Sequence, residues 1–157
     1  MIRPPLCDSS SYVMNTTLIG NRTEGFVLSA LMAAGYNVLI PFGGGLRYDL
    51  AIDTADGIKR VQCKTARVRP GAGAIYFPTM SWRRDSKEPV KYRGHVDFFG
   101  VYCQQSGKCY LVPISDVKDR EATLRLEKPK NGQSSGVRWA ADYEISSASS
   151  SVGGTSR

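Results

Sequence analysis

Residues 49–64 read Asp49-Leu50-Ala51-Ile52-Asp53-Thr54-Ala55-Asp56-Gly57-Ile58-Lys59-Arg60-Val61-Gln62-Cys63-Lys64. Leu50 and Ile52 alternate with Asp49, Ala51 and Asp53. Val61 and Cys63 alternate with Arg60, Gln62 and Lys64. Period-2 alternation is the signature of a half-buried strand. Asp56-Gly57 is a strong hairpin-turn pair between the two runs. The pattern therefore predicts a hairpin on which Asp49 points away from Leu50, while Gln62 and Lys64 point together, away from Cys63. An acid, an amide and an amine converge on one face. A metal-dependent phosphodiesterase site needs such groups: oxygen ligands for a hard cation, and a cation that offsets charge developing on the phosphate.

Upstream, Ile19, Thr23, Phe26, Val27, Ala30, Leu31 and Ala34 recur at helical spacing. They form one apolar stripe of a helix that begins near Thr16 and stops at Gly35 in the C′ position. Glu24 lies at the edge of that stripe. Gly20 and Gly25 are poor helix formers, and their presence predicts close packing against them. Residues 36–40 read as a strand and 41–45 as a loop. Gly43-Gly44-Gly45 is no phosphate-binding loop, because no Lys-Ser/Thr follows it. Residues 1–14, with Pro4-Pro5 and Ser9-Ser10-Ser11, read as an irregular leader, and Met14 is an alternative start.

Downstream, residues 69–73 form a turn and 75–77 a short strand. Residues 81–95, polar and broken by Pro89, read as a loop. Residues 96–103 and 109–114 make a second hairpin around 104–108. A short helical turn is expected to start after Ser115, which with Asp119 or Asp116 caps it. Residues 124–126 read as a small strand, and 137–145 as a last turn that packs Trp139 and Tyr143 on the core. Residues 146–157, rich in Ser and Gly, are expected to be disordered. A helix, then strands, then late helical material indicates an α/β or α+β domain with a central mixed sheet over residues 15–145.

The 157-residue chain carries a net charge of +7, which favours a polyanionic partner such as nucleic acid. Ten of its 21 Lys and Arg fall in residues 59–93, opposed there after the hairpin only by Asp85 and Glu88. Arg67, Arg69, Arg83, Arg84, Lys87, Lys91 and Arg93 are the expected DNA contacts, with Trp82 and Tyr92 interleaved. The four cysteines, Cys7, Cys63, Cys103 and Cys109, form no Cys-x-x-Cys pair and there is one histidine. This argues against a structural zinc site and a disulfide framework. No signal sequence and no membrane span are evident, so a cytoplasmic protein with no membrane partner is expected.

Asp49, followed thirteen positions later by Gln62-Cys63-Lys64, resembles the acid, spacer, acid-x-Lys signature of the PD-(D/E)xK nuclease superfamily. It resembles one branch in particular, the endonucleases associated with group I introns in cyanobacteria. The similar segments are Gly35-Tyr36-Asn37-Val38, Arg47-Tyr48-Asp49-Leu50, Val61-Gln62-Cys63-Lys64-Thr65, Tyr92-Arg93-Gly94-His95-Val96-Asp97-Phe98-Phe99, Tyr110-Leu111-Val112-Pro113 and Val137-Arg138-Trp139-Ala140. The resemblance implies a restriction-endonuclease-like core and a magnesium-dependent DNA endonuclease of homing or restriction type, with manganese able to substitute. It implies Asp49, Gln62, Lys64 and Glu24 as catalytic residues, and Asp49, Gln62 and the backbone carbonyl of Cys63 as metal ligands. Double-stranded DNA is the implied substrate, and a homo-oligomer, dimer or tetramer, the implied assembly.

Two departures stand out. The usual second acid is Gln62 and the usual Pro is Tyr48. A neutral ligand lowers the charge of the site, so one essential ion is expected. It also keeps open a non-cleaving DNA-binding module, while the shared core keeps open a Holliday-junction resolvase. Other readings of single residues are open too. Asp49 is alternatively a strand-end acid paired with Arg47 or Lys64. Lys64 and Gln62 are alternatively solvated strand residues, and Glu24 a solvated helix acid. Asp53 and Asp56 read as turn residues, and His95 and Asp97 as residues at a loop or core edge.

Overall fold

The computed structural model describes residues 15–82, 88–128 and 136–147. Helix α1 (Thr16–Ala33) starts where Asn15 accepts hydrogen bonds from the backbone N–H groups of Thr17 and Leu18. It ends in a Schellman motif: Gly35, at φ 88°, donates to Met32, and Tyr36 donates to Leu31. Thr23, Val27 and Leu31 are its buried residues. Phe26, expected in the stripe, sits at its edge: it is 49% exposed and stacks on Tyr102 at 4.2 Å.

Nine strands follow: β1 (Asn37–Leu39), β2 (Leu50–Thr54), β3 (Gly57–Arg69), β4 (Ala74–Pro78), β5 (Met80–Ser81), β6 (Val90–Lys91), β7 (Phe98–Cys103), β8 (Lys108–Pro113) and β9 (Glu121–Arg125). Two 3₁₀ turns, Ile114–Asp116 and Ala140–Tyr143, complete the described residues. The main sheet runs β1-β2-β3-β4-β9, and β7 joins β3 and β8. Every pairing is antiparallel except β3 with β7. This is the mixed sheet of a restriction-endonuclease-like fold.

β3 organises the molecule. At thirteen residues it is much longer than the sequence pattern suggests. Its beginning pairs with β2, its middle with β7 and its end with β4. The β2–β3 turn is Ala55-Asp56, one position earlier than the Asp-Gly pair suggests. Gly57, at φ 96°, is then the first residue of β3.

Both faces of the sheet centre are covered, which is why β7 reads as an unbroken apolar run. Phe98 and Tyr102 face the cluster built on Val27 and Leu31 of α1. Phe99, Val101 and Cys103 face the opposite cluster with Phe77, Tyr110 and Leu124. No second α-helix covers that opposite face among the described residues. Tyr92, Val96, Val117 and Ala140, from loops and short turns, do so instead.

Three expectations need correction. Residues 81–95 are not all loop, because Met80 pairs with Lys91 and Ser81 with Val90 across a short ribbon. Only one residue of that ribbon's second strand precedes Lys91, so no periodicity marks it. Nothing packs closely on Gly20 or Gly25, since a Cβ at either would meet open space. The close approach is at Gly100 of β7, where an added Cβ would stand 2.6 Å from Val27 Cγ1 and 3.0 Å from Val61 Cγ1. Trp139 is half-buried outside both core clusters, whereas Tyr143 does pack on the core. The leader at 1–14 lies outside the described residues, as does residue 148 onward of the tail.

The Gly100 contact yields a stability prediction. Gly100→Ala should destabilise the fold by about 1–3 kcal/mol, because backbone and two β-branched side chains must separate to admit one methyl group. Chemical denaturation of the two proteins measures this. An unchanged midpoint would mean that α1 does not lie against β7 as described.

Candidate active site

β2 begins at Leu50, and beyond it the β2 and β3 chains part. Asp49 is the residue at that fork. Its N–H still donates to Val61 O at 3.0 Å, just beyond the last paired position, Leu50 with Val61. Its Oδ2 then turns to the edge of β3 that β2 has vacated. There it accepts the Cys63 N–H at 2.7 Å and the Gln62 Nε2 at 2.5 Å. Gln62 Nε2 also lies 3.5 Å from the Cys63 carbonyl oxygen. The structure thus brings together Asp49, the Gln62 amide and the Cys63 backbone carbonyl.

Glu24, on the middle of α1, approaches this fork. Burial raises its pKa, and the charge of Asp49 raises it further. The Asp49 carboxyl is also raised by burial, against the opposing pull of the Cys63 N–H, the Lys64 charge and the Gln62 amide. Burial likewise pushes the Cys63 thiol up, helped by the charges of Asp49 and Glu24. The backbone oxygen of Cys63 is its hard donor, the kind that suits an ion held by carboxylates.

Among the described residues no group of three or more His, Cys, Asp or Glu side chains could hold a metal. The donor set at the fork is different in kind: two carboxylates, one amide and one main-chain carbonyl. These are hard oxygen donors, which suit magnesium or manganese and not a softer ion. The Gln62 amide presents its nitrogen to Asp49, and half a turn about its last torsion brings its carbonyl oxygen to the same place. Two half-buried acids with raised pKa values fit a cation that would relieve both.

Lys64 projects to the face opposite α1. Its Nζ donates to Tyr92 Oη at 3.0 Å and lies 4.5 Å from the centre of the Tyr92 ring. Lys64 makes no direct bond to Asp49, which rules out the paired-acid reading for these two. Arg47 is not paired with Asp49 either: it donates to the Lys91 carbonyl at 2.6 Å and stands 5.7 Å from the same Tyr92 ring. Tyr92, which sequence reasoning grouped with the DNA-facing aromatics, is buried and holds the lysine. Twenty-eight residues separate the two, so no local pattern reveals the contact. Across the same stretch of β3, Thr23 of α1 and Thr65 share a hydroxyl hydrogen bond at 2.6 Å, tying the helix that carries Glu24 to the strand that carries Lys64.

The basic residues separate into two groups. Arg69 pairs with Glu121 at 2.5 Å, Lys91 with Asp119 at 2.7 Å, and Arg93 with Asp119 at 3.7 Å. Arg67 is exposed and makes no ion pair among the described residues. Arg83, Arg84 and Lys87 lie outside the described residues, and Trp82 is 69% exposed. Asp97 accepts the Arg60 N–H at 2.7 Å and pairs with its side chain, so it is occupied in holding β3 beside β7. His95 is exposed in a turn, remote in its contacts from the fork. Asp56 lies in the β2–β3 turn as expected, whereas Asp53, also read as a turn residue, belongs to β2, where the ladder pairs it with Asn37 and Ile58.

Comparison with known proteins follows the same lines. The chain aligns with a bacterial homing endonuclease, I-Ssp6803I, with a TM-score of 0.64 and 22% identity, over 83% of this chain and 88% of that one. At that identity the likeness shows the fold. No curated protein matches. The sequence model of PD-(D/E)XK endonucleases matches residues 14–146, a stretch that includes the fork, Glu24 and Lys64. Nucleases of this kind generally use divalent metal ions and act on DNA. On that match the chain belongs to the PD-(D/E)XK endonuclease family.

Proposed function

We propose that the chain is a magnesium-dependent endonuclease that hydrolyses phosphodiester bonds in double-stranded DNA at the β2–β3 fork. The observation that carries this reading is the convergence of Asp49 Oδ2, the Gln62 amide and the Cys63 carbonyl at one strand edge. Asp49, Gln62 and Cys63 O would hold the ion, with Glu24 facing them from α1. When bound, the ion supplies Lewis-acid polarisation of the scissile phosphate and of water. Manganese has the same preference for oxygen ligands and would substitute.

The chain's own residues do the rest. The Cys63 N–H and the Gln62 amide fix the Asp49 carboxylate in one orientation. Tyr92 holds the Lys64 ammonium in one rotamer, from which it offsets charge on the phosphate or orients the attacking water. Glu24, which feels the charge of Asp49 and whose own charge reaches Cys63, adds negative charge to the ion site. Double-strand cleavage of homing or restriction type is supported by the likeness to a homing endonuclease. Cutting two strands is simplest with two sites related by a two-fold axis, so a homo-oligomer belongs to this reading.

A second reading rests on one observation. Gln62 is neutral and bonded to Asp49, as it would be in a chain of this fold that binds DNA without cutting it. Incubating the protein with plasmid, linear duplex and four-way junction DNA, with and without magnesium, separates the readings. Metal-dependent cutting of duplex is the expected result. Binding without cutting in any metal would leave the non-catalytic module, and strong preference for the junction would make it a resolvase.

Gln62→Glu sharpens the question of charge. A third carboxylate at the fork should tighten magnesium binding and lower the melting temperature in EDTA, since three acids then crowd one edge. Calorimetric titration and thermal melts read both effects. Weaker magnesium binding in this variant would show that Gln62 does not face the ion.

A further inference from the structure

A half-open groove of about 880 Å³ opens beside the fork on the α1 side of the sheet. Cys63, Lys64 and Thr65 of β3 are among its lining residues, so it is continuous with the strand that carries the candidate site. Thr16, Ile19 and Gly20 of α1 form one wall. Gln104 and Gln105, in the exposed turn between β7 and β8, stand at its rim. Arg67 and Arg120 also line it.

The arginines are what give the groove a preference. Arg69, Lys91 and Arg93 already spend their charge on Glu121 and Asp119. Arg67 and Arg120 are both exposed and have no ion pair among the described residues. Glu121, the only acid lining the groove among the described residues, is taken by Arg69. The groove therefore presents two uncompensated guanidiniums, each able to take a phosphate through two N–H donors. Thr16, Gln104 and Gln105 line the same groove with neutral donors.

Resting on the nuclease reading, we infer that this groove seats the backbone of the DNA on one side of the scissile phosphate, with Arg67 and Arg120 as its phosphate contacts. The basic segment at 59–93 is then not one undivided DNA surface. Arg120 lies outside it and belongs to the contact set, whereas ion-paired Lys91 and Arg93 contribute little.

Binding of a short labelled duplex, followed by fluorescence anisotropy across a salt series in an Asp49→Asn background, tests this without requiring cleavage. Arg67→Ala and Arg120→Ala should each weaken binding about 10-fold. The double variant should lower the slope of log affinity against log salt by about two. Arg67→Lys with Arg120→Lys should restore most of both, and Lys91→Ala should change the slope much less. Unchanged affinity and slope in the double alanine variant would overturn the inference. So would an equal loss from Lys91→Ala, or a change in sedimentation with DNA binding intact, which would make the groove a contact between copies. Failure of the nuclease reading is a separate result: a wild-type chain that cuts nothing with any divalent ion can still bind through this groove.

Discussion

Replacing Asp49 with asparagine should lower the single-turnover rate of magnesium-dependent DNA cleavage by about 10³-fold or more. The expectation follows from where the residue sits. Asp49 Oδ2 already accepts two hydrogen bonds from β3, so the carboxylate is locked at the strand edge. Asparagine fills the same volume and can keep an oxygen on the Cys63 N–H. What it removes is the anionic ligand. The fold should therefore survive while the chemistry does not, and circular dichroism alongside quenched-flow cleavage separates the two.

The same substitution has a signature in stability. Burial raises the Asp49 carboxyl pKa from its ordinary value of 3.8, so the folded chain favours the protonated form. A raised acid contributes stability below its ordinary pKa, and that contribution disappears as pH rises through the folded value. At neutral pH the ionised Asp49 is a cost to the fold that a bound cation offsets. Magnesium should accordingly raise the melting temperature of the wild-type chain and leave that of Asp49→Asn nearly unchanged. Equal shifts in both would place the ion elsewhere.

Lys64→Ala should cost about 10²-fold or more in the cleavage rate, with binding of uncut duplex much less affected. Lys64 acts as a fixed charge because Tyr92 holds it twice, through the hydroxyl at 3.0 Å and the ring face at 4.5 Å. Tyr92→Phe separates these contacts. It keeps the ring and its packing on Phe99, whose centroid lies 5.7 Å away, and removes only the hydrogen-bond acceptor. A loss of about 3- to 10-fold in rate, with unchanged DNA affinity, is expected from a lysine left to sample other rotamers. Loss of affinity instead would mean that Tyr92 serves DNA binding.

Much of this arrangement was legible in the chain. The alternation of residues 49–64 turned Asp49 away from Leu50 and put Gln62 and Lys64 together, away from Cys63, because a strand carries local pattern directly into side-chain direction. The stripe of α1 and its stop at Gly35 followed from helical periodicity. What stayed hidden depends on contacts far apart in sequence. The hold of Tyr92 on Lys64 has no local signature. Nor does the difference between Arg67 and Arg69, since only the fold puts Glu121 beside one of them. The glycines show the same limit from the other side. Gly20 and Gly25 looked like sites of close approach because they interrupt a helix, yet the residue squeezed between helix and sheet is Gly100. Strand periodicity does not mark it, because β7 is buried on both faces and every position along it is apolar or small.

The central claim is that the fork holds a divalent cation, and calorimetric titration of manganese into the wild-type and Asp49→Asn chains tests it most directly. A single saturable site per chain in the wild type, absent from the asparagine variant, is the predicted result. No binding to the wild type, or the same site surviving in Asp49→Asn, would contradict it.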